Sequence, residues 1–206
     1  MATRPHVLAI VAEDRLTEAV IRKCVSVYLP EFKIARSDVL GGRGNVQRTL
    51  RAYARLALVM PVIAGVDLDG DECAPRLLDD WQPLYERSDR FVLRVAVREI
   101  ESWVLADRRR VAQLLSANSD DIGRHPDLLE DPKRFLLNLA RESAAQELKR
   151  DLIPRNFAQY PRIGPAYNLR MGEFVAERWR PAVALRRSDS LARAVRAIQG
   201  IGELPQ

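Results

Sequence analysis

The spacing of apolar positions along the chain changes several times, and each change marks an element. HVLAIVA (6–12) is a short β-branched run that predicts a buried strand. In the next segment apolar residues at 16, 20, 21, 24, 25, 28 and 29 recur at helical spacing, which predicts an amphipathic helix. The alternation then repeats. FKIARSDVL (32–40) predicts a strand, GGRGN (41–45) a tight turn, VQRTLRAYARLAL (46–58) a helix, and PVIAGVDLD (61–69) a continuous apolar strand. APRLLDDWQPLYER (74–87) predicts a helix interrupted near Pro83, and RFVLRVAV (90–97) a fourth strand.

Strands separated by helices of this length need crossover connections, which generate a mostly parallel sheet with helices on both faces. The expected fold is therefore α/β and Rossmann-like. From IESWVLADRRRVAQLL (100–115) onward the pattern is mostly helical, loosening around residues 116–134. Residues 150–170, rich in Pro, Gly and Asn, predict an ordered loop or lid. Residues 171–202 predict two helices, with Ser188 or Asp189 as an N-cap and Gly200 as a C′ residue. The implied organisation is an α/β domain over 1–115 and a helical extension packed on it over 116–206.

Composition narrows the class. With 47% hydrophobic and 30% charged residues in 206, the chain has the mix of a soluble folded protein. No apolar run approaches the roughly 20 residues of a membrane span, and the first residues lack a secretory pattern, so a cytoplasmic protein with no membrane partner is expected. Cys24 and Cys73 form no C-x-x-C pair and predict reduced thiols in or near the core. The net charge of +5 permits a polyanionic partner, although only four of the 33 basic residues are lysines and a solvated basic surface explains the charge equally well.

The chemistry sits at the predicted strand ends. Glu13 and Asp14 follow the first strand, Asp67, Asp69 and Asp71 the third, and Glu99 and Glu101 the fourth. Functional groups of an open parallel sheet gather outside these ends. Seven carboxylates brought together require cations, and oxygen donors without His or Cys suit Mg²⁺ or Mn²⁺. A single carboxylate after a strand is often a helix cap, and Glu18 reads as a partner of Arg22 at i+4. Three aspartates at alternate positions exceed what capping needs. An EF-hand loop from Asp67 fails, because Glu72 and Leu78 stand at its sixth and twelfth positions.

The order of these blocks resembles the Toprim fold of topoisomerases, primases and OLD-type nucleases. VAEDRLTEAV resembles the V-E-G-x-T-E opening of OLD-like proteins of phage defence, although Asp14 stands where that pattern has glycine. REIESWVLAD resembles the E-x-E-x-[WL]-L-L-x-D segment of single-domain Toprim-like proteins associated with an ATPase partner. The resemblance covers residues 6–107. It implies Glu13 as general acid/base or metal ligand, Asp67 and Asp69 as ligands of a first metal, and Asp71, Glu99 and Glu101 as an extension toward a second. Of the last two, Glu101 is preferred for its ESW context.

The resemblance also implies a catalytic lysine, for which Lys133 in DPKRF is the candidate, while its context alone reads as a surface lysine. GGRGN between strand and helix has the form of a phosphate-facing turn, but a tight connection explains it as well. Trp103 reads as core, Arg98 as a salt-bridge partner of a nearby carboxylate, and neither His6 nor His125 has an evident partner. The expectation is a Mg²⁺- or Mn²⁺-dependent nuclease acting on DNA or RNA, with an ATPase protein and a second copy of the chain as further expected partners. Two alternatives stand: a non-catalytic regulatory subunit of an ATPase, and a small-molecule phosphatase, since DLDGD resembles the D-x-D-G-T of haloacid-dehalogenase-like enzymes.

Overall fold

A computed structural model describes residues 6–154 and 163–204. Four strands, β1 (His6–Ala12), β2 (Phe32–Val39), β3 (Val62–Asp67) and β4 (Phe91–Ala96), form one all-parallel sheet in the order β2-β1-β3-β4. Helix α1 (Arg15–Tyr28) links β1 to β2, α2 (Arg43–Leu56) links β2 to β3, and α3 (Ala74–Trp81) lies between β3 and β4. β1, β3 and β4 are apolar on both faces because helices cover both, whereas the edge strand β2 is polar and has no buried residue. Leu8, Ile10, Ile63 and Val92 pack toward α1, while Ala9, Val11, Ala64 and Leu93 pack toward α2 and α3.

After β4 the chain is helical: α4 (Ile100–Leu105), α5 (Arg108–Leu115), α6 (Pro132–Ser143), α7 (Gln146–Leu152), α8 (Tyr167–Glu177), α9 (Pro181–Ala184) and α10 (Asp189–Gly202). These helices share the core of α1's face, where Trp103, Met171, Phe174, Trp179 and Leu191 are buried together. Trp103 also donates to Ser190 Oγ at 2.7 Å. Among the described residues no helix is long and apolar enough to cross a membrane.

Several boundaries differ from the sequence expectation. The turn after β2 is confined to Gly41 and Gly42, whose φ of 71° and 136° favour glycine, so the helix begins at Arg43 within GGRGN. The helical stretch expected from residue 100 onward is interrupted at Ala106–Asp107, where the buried Asp107 carboxylate takes two bonds from the Arg180 guanidinium, at 2.9 and 2.7 Å. Pro83 lies in a 3₁₀ turn after α3, as a helix-breaking residue should. Ser188 caps α10 by accepting the Leu191 N–H at 3.1 Å, but α10 runs to Gly202 and encloses Gly200. The expected loop over 150–170 is helical up to Leu152 and again from Tyr167, and its residues 155–162 lie outside the described residues.

Candidate functional site

β1 and β3 are central neighbours whose continuations leave in opposite directions, toward β2 and toward β4. A crevice opens outside the carboxyl ends of strands at such a switch point. Glu13 and Asp67 meet there, with the Asp67 N–H donating to Glu13 Oε2 at 3.1 Å. The Glu13 backbone is pinned on both sides: its N–H donates to the Gly65 carbonyl at 3.1 Å, and its carbonyl accepts the N–H groups of Gly41 and Gly42 at 2.9 and 3.1 Å. The glycine turn therefore spends these amides on the site's own backbone.

The continuation of β4 closes the other side of the crevice. The Val97–Arg98 peptide is cis, Glu99 is the N-cap residue of α4, and Glu101 lies in its first turn. Asp67 Oδ1 accepts the Ile100 N–H at 2.8 Å, so one strand-end carboxylate satisfies the start of the helix that carries the others. Asp67 is 4% exposed and Glu101 0%.

Residues from beyond α5 complete this half of the site. Lys133, in the first turn of α6, reaches Glu101 Oε1 at 3.4 Å and Glu99 Oε1 at 3.6 Å, and its N–H donates to Glu99 Oε2 at 2.8 Å. The Tyr167 hydroxyl, at the start of α8, donates to Glu101 Oε1 at 2.8 Å. Glu101 Oε2 is buried with no hydrogen-bond partner. A tight return of the chain sets Tyr167 in place: the Gly164 N–H donates to the Leu152 carbonyl at 2.8 Å, and a Cβ on Gly164 would lie 2.3 Å from the Asp151 carbonyl oxygen.

Burial dominates the electrostatics here. It pushes Glu101 up to about 7, an effect opposed by the Lys133 charge and reinforced by Glu99 and Asp14. Burial also raises Asp67 well above the usual carboxylate range, with the charges of Glu101 and Asp14 adding to it. Glu13 is raised as well, chiefly by burial and against the Asp67 N–H, which favours its charged form. For Lys133 burial works against the ammonium, but Glu101, Glu99 and Asp67 outweigh it and hold the proton. Burial and the Glu101 charge keep the Tyr167 phenol protonated.

The D-x-D-x-D run divides after its first member. Asp69 adopts a left-handed φ of 52°, a region Asp tolerates better than most residues, and its side chain is 47% exposed. Asp71 is 41% exposed and bonds to Arg43, whose Nη1 also lies 3.9 Å from Asp69 Oδ2 and donates to the Leu68 carbonyl at 2.8 Å. Arg98 makes no carboxylate salt bridge among the described residues, contrary to expectation. Its Nη1 donates to the backbone carbonyl of Asp71 at 2.6 Å and more weakly to that of Asp69, fixing the turn.

Glu13, Asp67, Glu99 and Glu101 thus share one centre, with Asp67 and Glu101 buried and Glu13 and Glu99 half-buried, and Asp69 lies close enough to Glu13 to raise its pKa. Asp71 faces outward onto Arg43. Lys133 is a member of the centre rather than a surface lysine. Asp14, which caps α1 by accepting the Thr17 N–H at 2.8 Å, also acts on Asp67, Glu101 and Lys133 through its charge. Sequence reasoning counted Asp14 among the strand-end carboxylates without making it a ligand, and it gave no role to Tyr167. Asp14 had a signal in its place beside Glu13; Tyr167, 66 residues from Glu101, had none. Glu18 does bond Arg22, at 2.9 Å, as its spacing predicts.

The donor set suits a hard divalent ion in chemistry and charge: every candidate is a carboxylate, and one buried Glu101 oxygen lacks a partner. Among the described residues no three His, Cys, Asp or Glu side chains stand close enough together to hold an ion without moving. Lys133 and Arg43 supply part of the counter-charge in this arrangement. Comparison of the chain with known proteins finds no matching family model, no matching curated protein and no matching solved structure.

Proposed function

We propose that the chain is a Mg²⁺- or Mn²⁺-dependent nuclease of Toprim-like descent that hydrolyses phosphodiester bonds of DNA or RNA in the cytoplasm, in a phage-defence setting. The observation that carries this reading is the meeting of Glu13, Asp67, Glu99 and Glu101, from three strand ends, at the switch point of a parallel sheet. Glu13, Asp67 and Asp69 would hold an ion on the open side, and Glu99 and Glu101 would extend the set on the buried side. A bound divalent ion supplies charge that stabilises the transferring phosphate and orients a nucleophilic water.

The chain's own groups prepare that chemistry. The Asp67 N–H orients the Glu13 carboxylate toward the crevice. The Tyr167 hydroxyl and Lys133 hold Glu101 by one oxygen and leave the other free. Lys133 keeps its proton and brings a fixed positive charge to the place where an anionic substrate would sit.

A second reading has its own support. Lys133 and Arg43 already pair with carboxylates of the cluster, as would suit a non-catalytic Toprim-like subunit that signals to an ATPase partner. Cleavage of supercoiled plasmid and of single-stranded DNA and RNA separates the two. The nuclease reading expects cutting with Mn²⁺ that stops in EDTA and in Asp67→Asn, a substitution that retains the acceptor for Ile100. Wild-type protein that binds an ATPase partner yet leaves every substrate intact would favour the subunit.

A further inference from the structure

Helix α2 carries four arginines, Arg43, Arg48, Arg51 and Arg55, and no acidic residue. Its first turn reaches the outer edge of the acidic cluster, where Arg43 pairs with Asp71, and from there to Arg55 the helix extends about 18 Å at 1.5 Å per residue. Arg48, Arg51 and Arg55 are exposed. The side chains of Arg51 and Arg55 make no hydrogen bond or ion pair among the described residues, so nothing there neutralises them.

These two arginines open onto a groove of about 620 Å³, together with Arg87 and Tyr85 from the segment leading into β4 and with Leu58, which is 72% exposed. Glu86 is the one acidic residue of the lining. Behind the groove stands Arg94 of β4, partly buried. It donates to the neighbouring Leu93 carbonyl at 2.7 Å, has a buried Nε without a partner, and forms no ion pair among the described residues. Its charge and that of Arg87 act on the Tyr85 phenol, so Arg94 stands near Tyr85 behind the lining, while Arg87 itself lines the groove. A part-buried cation without a counter-ion is unfavourable, and an anion in the groove would offset that cost.

We infer that this groove binds the phosphodiester backbone of a single-stranded nucleic acid, with Arg51, Arg55 and Arg87 on phosphates and Leu58 and Tyr85 against bases. Arginines interleaved with apolar and aromatic side chains are the combination that holds single strands without sequence preference. Repeated phosphates match a row of cations in a way that a single small anion does not. The inference rests on the proposed nuclease reading in one respect: a strand seated in the groove and followed along α2 arrives at the carboxylate centre.

The test measures binding of a fluorescein-labelled oligothymidylate in EDTA, across a range of KCl concentrations. Wild-type protein is compared with Arg51→Gln/Arg55→Gln/Arg87→Gln and with Arg193→Gln/Arg196→Gln on α10, which removes exposed charge from the other face of the sheet. The groove variant should bind at least about tenfold more weakly. Its salt slope should fall by about 2, since each lost phosphate contact on a single strand removes about 0.7. The matching Arg→Lys triple should retain most of the binding, and circular dichroism should show all variants folded. Equal losses in the groove and α10 variants, unchanged binding in the groove variant, or no binding by wild type would each overturn the groove. Because no metal is present, the outcome is separate from the nuclease reading: groove-dependent binding without any metal-dependent cutting would sink the nuclease and leave the groove standing.

Discussion

Asp67 and Asp69 are two residues apart in one acidic run, yet they occupy opposite environments. Asp67 is buried, caps α4 from a neighbouring strand and belongs to a cluster whose cation is Lys133. Asp69, with its left-handed backbone, lies with Asp71 in a more exposed region beside Arg43. The difference shows that an acidic motif does not define a site. Burial, set by where the fold places each carboxylate, makes the difference: it raises Asp67 and Glu101, and the Lys133 charge opposes that rise.

Removing the buried cation should break the comparison most severely. Lys133→Met leaves Glu99 and Glu101 without their counter-charge, and at pH 8 it should cost about 3–5 kcal/mol in urea unfolding, the usual penalty for stranding a buried charge. The loss should shrink toward pH 5, because Glu101 can then be protonated. Wild type should show a milder form of the same trend. Glu101 is raised from 4.5 to about 7, so the folded state binds more protons than the unfolded state within that window, and stability should fall as the pH rises through it. A stability that rises from pH 4.5 to 7 would show that other groups dominate.

Single substitutions along the acidic run sharpen the contrast. In the plasmid assay Asp67→Asn should lose more than about 100-fold, beyond the loss typical of an outer partner of a metal ligand, whereas Asp71→Asn should stay within about tenfold of wild type. Equal losses at both positions would erase the distinction between the two halves. The smallest effect is expected at Tyr167. Tyr167→Phe removes one hydrogen bond to Glu101, should lower stability by about 1.5–3 kcal/mol, and should move the acid limb of the pH–activity profile upward, because that bond favours the charged carboxylate. A purely structural tyrosine would change stability without moving the limb.

The sheet and the helices covering it were legible because their patterns are local. Continuous apolar runs mark β1, β3 and β4, and the helical spacing of residues 16–29 marks α1. The placement of carboxylates at strand ends was legible for the same reason, since Glu13 follows β1 directly, Asp67 ends β3, and Glu99 comes three residues after β4. The orientation of Asp69 was not, because it depends on one residue's φ. Lys133 and Tyr167 reach the centre through the packing of α6 and α8, and no short-range pattern near either residue records a partner so distant in sequence. Helix ends misjudged at Arg43 and Gly200 reflect glycine's double use, as a turn residue at 41–42 and as a tolerated helical residue at 200.

The central claim is that the buried carboxylates form a divalent-metal centre, and calorimetric titration of Mn²⁺ into the protein at pH 8 tests it most directly. The account predicts saturable binding that weakens as the pH falls below about 7, where Glu101 takes up its proton, and that disappears in Asp67→Asn while persisting in Asp71→Asn. No Mn²⁺ binding by folded wild-type protein, or binding that Asp67→Asn leaves untouched, would contradict it.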